Sequence, residues 1–294
     1  MASNNQRKTV LITGCSSGIG EALAREFQAR GYEVIATARK LESISHLRDT
    51  GMTTLSLDVT KPDSVKATEV EVKRITNGKL DVLVNNAGIL TRGALADVSP
   101  EHIYSIFNTN VFGLMAVVSS LLPLLIAAKG TIVNISSASS VTPFPFKGLY
   151  AMTKAALNSY GRTLAIELSP FDVHVLTCPT GYIQSKLEIN GTDQVPENSL
   201  YKAMAGKMVL GFPDTQMEGA EYAKIVVSEV QKGRGWSFGP WRFGAMREWL
   251  WVGTGASRGY WASMIGEAFL QRGYKGMINW DEITKSIRKG KSFE

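Results

Sequence analysis

Cysteine is almost absent from this chain, since Cys15 and Cys178 are the two cysteines in 294 residues. Two cysteines cannot form the disulfide framework of a small secreted protein, and residues 1–10 contain no apolar stretch of the signal-peptide type. We therefore expect an intracellular, cytoplasmic protein, with the surface of lipid droplets or of the endoplasmic reticulum as the alternative location.

The chain also lacks long blocks of lysine and arginine interleaved with aromatic residues, although its formal net charge is +6. Nucleic-acid binding therefore has no specific support, and we expect no nucleic-acid partner. A phosphorylated cofactor is the simplest partner for this positive charge.

Long hydrophobic runs are rare, and one of them, residues 111–128, approaches the length of a membrane span. Gly113, Ser119, Ser120 and Pro123 interrupt it, and it lies between two segments that have the pattern of strands of one sheet. The pattern therefore favours a buried helix over a transmembrane one.

Strand-like and helix-like patterns alternate along the chain, which is typical of a parallel sheet covered by helices. We predict a single α/β domain over residues 1–294, a doubly wound, Rossmann-type fold with a mainly parallel seven-stranded sheet and helices on both faces. The predicted strands are residues 9–13, 32–37, 53–59, 80–87, 131–136, 173–178 and 236–239. The predicted helices are residues 19–30, 61–76, 100–128 with a break, 149–168 and 218–232.

Two segments depart from this alternation. Residues 181–213 are polar and weakly periodic, which predicts a mobile flap over the carboxyl end of the sheet. Residues 240–294 form an aromatic, helical C-terminal extension, with helices expected at 247–251 and 261–271. Two interpretations of this extension stay open: a lid or interfacial anchor that contacts a membrane, or packing against the body or a neighbouring subunit.

A glycine-rich loop connects the first strand to the first helix. Gly14 permits a tight turn, Gly18 lets the backbone approach a pyrophosphate, and Gly20 allows the helix to pack closely on the strand. The amino terminus of a helix offers free N–H groups and partial positive charge to phosphates. The loop therefore predicts a dinucleotide site.

The end of the second strand indicates which dinucleotide binds. An acidic residue there would accept hydrogen bonds from an unmodified ribose, but this chain has Arg39 and Lys40. Arg39 can bind a 2'-phosphate through two parallel hydrogen bonds, and Lys40 adds charge. The cofactor NADP(H) is therefore predicted over NAD(H), although both residues could also be ordinary solvated surface cations.

Tyr150 and Lys154 are four residues apart in a predicted helix, so they lie on one helical face. A neighbouring ammonium favours the phenolate and lowers the pKa of a tyrosine, which makes it a better proton donor near neutral pH. Ser137, at the end of a predicted strand, can hydrogen-bond the same carbonyl oxygen that Tyr150 protonates. The three groups predict reduction of a carbonyl, although the spacing of Tyr150 and Lys154 alone would also fit an ordinary surface helix.

Together, the motifs resemble those of the classical short-chain dehydrogenase/reductase family. Residues 13–20 (TGCSSGIG), 85–88 (NNAG) and 150–154 (YAMTK) match three of its motifs, and the likeness covers residues 8–240. Within the family, residues 36–39 (ATAR) and 108–113 (NTNVFG) resemble the acyl-dihydroxyacetone-phosphate reductase-like branch of fungal reductases.

The resemblance implies a catalytic tetrad of Asn110, Ser137, Tyr150 and Lys154, in which Asn110 orders a water relay to Lys154. It also implies that Asp58 contacts the adenine and that Lys154 holds the nicotinamide ribose. The cofactor-binding residues, predicted from the loop, the second strand and the resemblance together, are Gly14, Ser16, Ser17, Gly18, Ile19, Gly20, Arg39, Lys40, Asp58, Val59, Asn86, Ala87, Gly88, Tyr150, Lys154, Gly181, Ile183 and Ser185. No metal ion is predicted.

One departure from the family pattern follows the sixth strand, where the family usually has Pro-Gly and this chain has Pro179-Thr180-Gly181. The backbone that braces the nicotinamide is expected to differ there.

The predicted substrate is a bulky, hydrophobic ketone or aldehyde, because several apolar residues lie in the loops expected around the site. They are Phe144, Phe146, Tyr182, Leu187 and Met204. We expect an NADPH-dependent reductase with Tyr150 as general acid. The alternatives are an alcohol dehydrogenase acting in the oxidative direction and an NADP(H)-binding isomerase, cyclase or scaffold without net redox chemistry. Family habit implies a homodimer or homotetramer formed through the helices of 100–128 and 149–168.

Overall fold

A parallel sheet with helices on both faces forms the centre of the molecule. The computed structural model describes residues 7–185, 187, 191–206, 215–233, 236–238, 241–243, 246–262 and 280–289. The strands are β1 (Thr9–Ile12), β2 (Glu33–Ala38), β3 (Thr53–Ser56), β4 (Val82–Asn85), β5 (Thr91–Gly93), β6 (Thr131–Ile135), β7 (His174–Cys178), β8 (Thr192–Gln194), β9 (Trp236–Phe238) and β10 (Trp241–Phe243).

The helices follow the predicted alternation. They are α1 (Gly18–Ala29), α2 (Ser45–Arg48), α3 (Pro62–Ile75), α4 (Pro100–Phe107), α5 (Gly113–Ala128), α6 (Gly148–Leu168), α7 (Gly219–Gln231), α8 (Ala256–Ala262) and α9 (Trp280–Lys289). A π-helical turn, Asn108–Phe112, joins α4 to α5 and is the break expected within 100–128. The predicted α/β fold is confirmed.

In the described part of the chain, the main sheet has six strands in the order β3-β2-β1-β4-β6-β7, and every neighbouring pair is parallel. The strand order reverses between β1 and β4. In a sheet of this kind, a crevice forms at the reversal point, outside the carboxyl ends of the strands, and ligands bind there.

The prediction that residues 236–239 form a seventh strand of the main sheet is wrong. Its described part, β9, pairs antiparallel with β10 in a separate two-stranded sheet. Residues 248–252 lie beside β7 instead: the Thr177 amide donates to the Glu248 carbonyl at 2.8 Å, and the Leu250 amide donates to the Thr177 carbonyl at 3.0 Å. This position suits alternating Leu250 and Val252, because both side chains are buried there.

The helix predicted at 247–251 is therefore wrong as well, since these residues are extended along β7. Of the helix predicted at 261–271, residues 261–262 end α8, and the rest lies outside the described residues.

The two larger clusters of buried apolar residues lie one on each face of the sheet. Successive residues of a strand point to opposite faces, so Val10 and Ile12 pack in one cluster and Leu11 in the other. The first cluster includes residues of α1 and α7, and also Leu250 and Val252 of the extension. The extension therefore contributes to the core of the fold.

Among the described helices, the stretch Pro100–Ala128 is long and apolar enough to cross a membrane. Leu114, Val117 and Leu121 of α5 are buried in the same cluster as Leu11 of the sheet. β4 and β6, which flank this stretch in the chain, pair with each other in the sheet. These contacts support the buried-helix interpretation.

The segment predicted as a flap is attached to the body at several points in its described part. β8 pairs in parallel with β5, and Arg92 Nε donates to Asp193 Oδ1 at 2.6 Å. The Ser199 hydroxyl donates to Asp97 Oδ2 at 2.6 Å. Residues 207–213 of the predicted flap lie outside the described residues.

Candidate active site

A cavity of about 1230 Å³ opens at the carboxyl ends of β1, β4, β6 and β7. Of the predicted site residues, those lining it are Gly14, Ser16, Ser17, Gly18, Ile19, Arg39, Asp58, Val59, Asn86, Ala87, Gly88, Ser137, Tyr150, Lys154, Gly181, Ile183 and Ser185. Gly20, Lys40 and Asn110 do not line it. Residues scattered along the sequence therefore meet at one crevice.

The glycine-rich loop is held against the end of β4. Gly14 has a φ of 75°, and a Cβ there would lie 2.9 Å from the Ala87 Cα. A Cβ on Gly20 would collide with the Gly14 carbonyl oxygen and approach Asn86 Nδ2 to 2.5 Å. Asn86 Nδ2 donates to the carbonyl oxygens of Thr13 and Gly14, each at 2.9 Å. Gly20 thus serves the close packing of the helix, which explains why it lies outside the cavity.

The amino terminus of α1 faces the cavity through Ser17, Gly18 and Ile19. The N-cap residue, Ser17, makes no capping hydrogen bond with its side chain. The first N–H groups of a helix have no partner inside the helix, and they favour an anion. Loop and helix together fit the pyrophosphate of a dinucleotide.

Two charged residues lie beyond this loop. Arg39, directly after β2, lines the cavity, whereas Lys40 does not. Asp58 accepts hydrogen bonds from the amide and the hydroxyl of Thr60 at 3.0 and 2.7 Å. Partial burial would raise the pKa of the Asp58 carboxyl, but these bonds and the charges of Arg39 and Lys61 outweigh it, so its pKa lies below the usual value. Asp58 is thus ionised near neutral pH and can accept hydrogen bonds from a ligand.

Ser137, Tyr150 and Lys154 lie on the same cavity wall. Ser137 follows β6, and Tyr150 and Lys154 lie in the first two turns of α6. The ammonium nitrogen of Lys154 is 5.6 Å from the centroid of the Tyr150 ring. A proton donor and a positive charge therefore face one space, which is the arrangement that the sequence predicts.

Burial determines the protonation of Lys154. Its Nζ donates to the carbonyl oxygen of Ile135 at 2.8 Å, and the residue is 5% exposed. Because burial disfavours the charged form, the pKa of Lys154 is lowered to about 8. The side chain is therefore mostly an ammonium at neutral pH and loses its charge in mild alkali.

Asn110 lies behind the cavity wall, in the π-helical turn. Its Oδ1 accepts from the Ile89 amide at 2.8 Å, and its Nδ2 donates to the Ile89 carbonyl and to the Thr153 hydroxyl at 2.9 and 3.1 Å. A Cβ on Gly88 would lie 3.3 Å from the Asn110 Oδ1. The contacts of Asn110 brace the strand-four loop against α6, and the water relay to Lys154 stays a prediction.

The unusual Pro179-Thr180-Gly181 sequence is braced by α7 and by the C-terminal extension. The Thr180 hydroxyl is 2.8 Å from the hydroxyl of buried Tyr222, and the Gly181 amide donates to the Val252 carbonyl at 2.8 Å. The local backbone at this end of the cavity therefore depends on residues far along the chain.

The apolar residues predicted to contact the substrate fall into two groups. Phe144, Tyr182 and Leu187 line the cavity. Phe146 and Met204 are instead buried in a separate cluster with Ile283 of α9. A loop aromatic can fill a core gap as well as a pocket, and the sequence pattern does not distinguish the two.

Several cavity residues were not singled out from the sequence, although the loop 138–148 and the extension were among the segments expected beside the substrate. Thr254, Gly255 and Ser257 of the extension line the cavity, as do Ser139 and Lys147. The extension reaches the cavity because the Tyr182 amide donates to the Thr254 carbonyl at 2.9 Å. Nothing local to residues 254–257 indicates this contact. Ser139, by contrast, is two residues from Ser137 and could have been considered.

The chain is similar to short-chain dehydrogenases in sequence and in structure. A family model described as short chain dehydrogenase matches residues 8–196. The NADPH-dependent 1-acyldihydroxyacetone phosphate reductase of Schizosaccharomyces pombe is 38% identical over 272 residues, which are 88% of this chain and 90% of that protein. The short-chain dehydrogenase ptmH of Penicillium ochrochloron is 41% identical over 236 residues, 78% of this chain and 87% of its own length.

Solved structures of dehydrogenases are also similar to this chain. A short-chain dehydrogenase from Streptomyces avermitilis has a TM-score of 0.74 and 27% identity, covering 95% of this chain and 98% of its own. An alcohol dehydrogenase from the archaeon Thermococcus sibiricus, complexed with 5-hydroxy-NADP, has a TM-score of 0.65 and 25% identity, covering 83% of this chain and 95% of its own. The predicted family is therefore confirmed: this chain belongs to the short-chain dehydrogenases and is an oxidoreductase acting on CH–OH or C=O groups.

Proposed function

We propose that this chain is an NADPH-dependent reductase that transfers a hydride to the ketone or aldehyde of a bulky, hydrophobic molecule. One observation carries the proposal: Ser137, Tyr150 and Lys154 share a single cavity with the glycine-rich loop and Arg39. The proposed proton donor and the residues that fit a dinucleotide thus line one crevice.

In the reaction, bound NADPH supplies the hydride that reaches the carbonyl carbon. Tyr150 donates its phenolic proton to the carbonyl oxygen, so that the product is an alcohol and the tyrosine is left as a phenolate. Lys154, held by the Ile135 carbonyl, favours that phenolate through its positive charge. Ser137 hydrogen-bonds the same oxygen, and such a donor, fixed before the reaction, stabilises the charge that develops there.

The cofactor is NADP(H). Arg39 lines the cavity directly after β2, where a carboxylate would favour NAD(H). The S. pombe relative is described as NADPH-dependent, and the T. sibiricus alcohol dehydrogenase was solved with 5-hydroxy-NADP. Relatives and residues therefore support the same dinucleotide.

The apolar part of the cavity lining, which we call the substrate side, supports the proposal of a large apolar substrate. Phe144 and Tyr182 pack edge to face with their ring centroids 6.3 Å apart, and Leu187, Ile89 and Leu90 add aliphatic surface. The S. pombe relative acts on 1-acyldihydroxyacetone phosphate, a ketone that carries an acyl chain. A ketone or aldehyde with a long or bulky apolar group is the substrate class proposed here.

The test is to assay the purified chain with a panel of carbonyl compounds and to monitor NADPH oxidation by the loss of NADPH absorbance. The panel holds 1-acyldihydroxyacetone phosphate, bulky aryl and alicyclic ketones, and acetone as a small control. We expect NADPH oxidation with at least one bulky carbonyl and little with acetone. Binding of NADPH without oxidation by any carbonyl would overturn the proposal in favour of a non-redox role, and faster initial rates with NADP⁺ and the matching alcohols would favour oxidation.

We further propose a homodimer or homotetramer through α5 and α6. Phe112, the last residue of the π-helical turn, Met115 on α5, and Met152 and Ile166 on α6 are exposed apolar side chains. Exposed apolar surface of this kind often marks an interface. Light scattering is expected to give a multiple of the 32.0 kDa chain mass, and a monomer would contradict this proposal.

Membrane contact through 240–294 also stays a proposal. Trp261 is 62% exposed beside Tyr260 on α8, and exposed aromatic rings suit a membrane interface. Co-sedimentation with phospholipid vesicles tests it, and a chain left wholly in the supernatant would contradict it.

A further inference from the structure

The hydroxyl of Ser137 receives two hydrogen bonds from one neighbour, Ser139. The Ser139 amide donates to Ser137 Oγ at 3.2 Å, and the Ser139 hydroxyl donates to the same oxygen at 2.9 Å. Ser139 is 7% exposed and lies in a short 3₁₀ turn, Ala138–Ser140, that begins directly after Ser137. This contact is independent of the motifs that identify Ser137.

A serine hydroxyl has two acceptor sites and one proton to donate. The two bonds from Ser139 occupy both acceptor sites of Ser137, so the remaining capacity of Ser137 is its own O–H. Ser137 lines the cavity, and its donor therefore has the substrate space to point into. A hydroxyl that accepts hydrogen bonds also becomes a stronger donor, because the bonds polarise one another.

The turn that carries Ser139 is itself held in place. The Ala138 amide donates to the Thr180 carbonyl at 2.8 Å, and the Thr142 hydroxyl donates to the Ala138 carbonyl at 2.8 Å. The Ser136 amide donates to the Cys178 carbonyl at 2.9 Å, which ties the other side of Ser137 to β7. Ser139 thus presents its two donors from a fixed backbone.

We propose that Ser139 is a positioning residue that orients the Ser137 hydroxyl as a hydrogen-bond donor to the carbonyl oxygen of the substrate. The inference rests on the proposed function, because it assigns Ser139 a task only if Ser137 contacts a reacting oxygen. Without the Ser139 hydroxyl, one acceptor site of Ser137 is left without its partner and the Ser137 O–H rotates more freely. Ser137 then stabilises less of the charge that develops on the substrate oxygen, because its donor is no longer held in place before the reaction.

The experiment is a double-mutant cycle on Ser137→Ala and Ser139→Ala, with NADPH and the panel carbonyl that the wild-type chain reduces fastest. We expect Ser139→Ala to lower kcat by about tenfold, less than the roughly hundredfold or larger loss from removing the direct donor in Ser137→Ala. The double variant should be no slower than Ser137→Ala, because Ser139 acts through Ser137. NADPH binding, followed by nucleotide fluorescence, should be unchanged in all three variants.

Two further variants separate positioning from folding. Ser139→Thr keeps the hydroxyl and should retain most of the wild-type kcat. Thr76→Val removes an equally buried hydroxyl that bonds the Val72 carbonyl and lies outside the cavity lining, so it should leave kcat unchanged.

The outcomes are distinguishable. An unchanged kcat in Ser139→Ala, with Ser137→Ala impaired, would overturn the inference alone. Losses that add in the double variant would overturn it too, because Ser139 would then contact the substrate or support the fold independently. Full activity in Ser137→Ala, or no carbonyl reduction by the wild-type chain, would overturn the proposed function and the inference with it.

Discussion

The cofactor side of the cavity consists of residues that directly follow the strands of the main sheet, whereas its substrate side consists of segments that meet only in the folded chain. Gly14, Arg39 and Asn86 each stand one or two residues after a strand. On the substrate side, Tyr182 pairs with Thr254 of the extension. The first side is thus built by local connection and the second by tertiary contact.

This difference has a functional consequence. A change on the cofactor side should alter nucleotide binding while the core stays intact, because Gly14, Arg39 and Asn86 follow the ends of the strands and lie outside the core clusters. A change on the substrate side should alter stability and substrate affinity together, because Met246, Leu250 and Val252 of the extension are also part of the core. Ser137, Tyr150 and Lys154 lie between the two sides.

The largest expected effect is at this junction. Tyr150→Phe should lower kcat by about 10³-fold, because the proton donor is lost while both walls of the cavity stay in place. NADPH affinity should be unchanged by nucleotide fluorescence. Tyr160→Phe on the same helix, outside the cavity lining, serves as the control. Wild-type turnover in Tyr150→Phe would show that another group supplies the proton.

The cofactor side is tested by nucleotide preference. Arg39→Ala should raise the KM for NADPH by about 30-fold and leave that for NADH unchanged, because charge-assisted hydrogen bonds to the 2'-phosphate are lost. Thermal stability should not change. Arg48→Ala, at an exposed arginine of α2, is the matched control. Equal affinity for the two nucleotides in the wild-type chain would contradict the assignment.

The charge of Lys154 predicts a pH dependence. Since its pKa is about 8 in the free chain, the fraction that is positively charged is nearly complete at pH 7 and falls as the pH rises through that value. kcat/KM for reduction should therefore fall above pH 8, approaching about tenfold per pH unit. Initial rates at saturating NADPH across neutral and alkaline pH measure this. A flat profile through pH 9 would mean that the charge of Lys154 does not matter.

The smallest effect tests the substrate side. Glu229, 2% exposed on α7, binds Lys232 at 2.8 Å and binds both the side chain and the amide of Arg247 in the extension. Glu229→Gln should lower the free energy of unfolding by about 2 kcal/mol at neutral pH and raise the substrate KM, with NADPH affinity unchanged. Glu221→Gln, at an exposed position of the same helix, is the control.

The stabilisation by Glu229 has a defined pH window. Burial raises the pKa of its carboxyl, but the bonds from Arg247 and Lys232 outweigh burial and lower it from 4.5 to about 2. A folded-state pKa below the unfolded value stabilises the fold above pH 4.5, and this contribution is lost as the pH falls toward 2. The difference between wild type and Glu229→Gln should shrink over that range in denaturant titrations. A difference that stays constant with pH would mean that the charge of Glu229 does not contribute to stability.

Much of the fold could be predicted because its signals are local. A short apolar run such as 131–136 has the length and composition of a buried strand, and a glycine after a periodic run ends a helix, as Gly31 follows α1. The seventh strand could not be placed by the same reasoning. Residues 236–239 and 248–252 are both short and apolar, and the choice between them depends on what packs beside β7.

The candidate site divides in the same way. Ser137, Tyr150 and Lys154 were predicted by spacing and resemblance, and they reach one cavity because parallel strands bring their carboxyl ends to one edge. Lys40 and Arg39 are adjacent, yet only Arg39 lines the cavity. Both residues lie in the bend that follows β2, and nothing in the sequence indicates which of two adjacent cations faces the cavity.

The amino-acid sequence by itself determined the family, the dinucleotide site and the groups that can protonate a carbonyl, because each depends on a few residues at fixed spacing next to a strand or within a helix. The tertiary structure decided which loop aromatics line the cavity, how Ser139 bonds Ser137, and that Thr254, Gly255 and Ser257 form part of the cavity wall. Those features depend on contacts between segments far apart in the chain, and such contacts leave no periodic pattern in either segment.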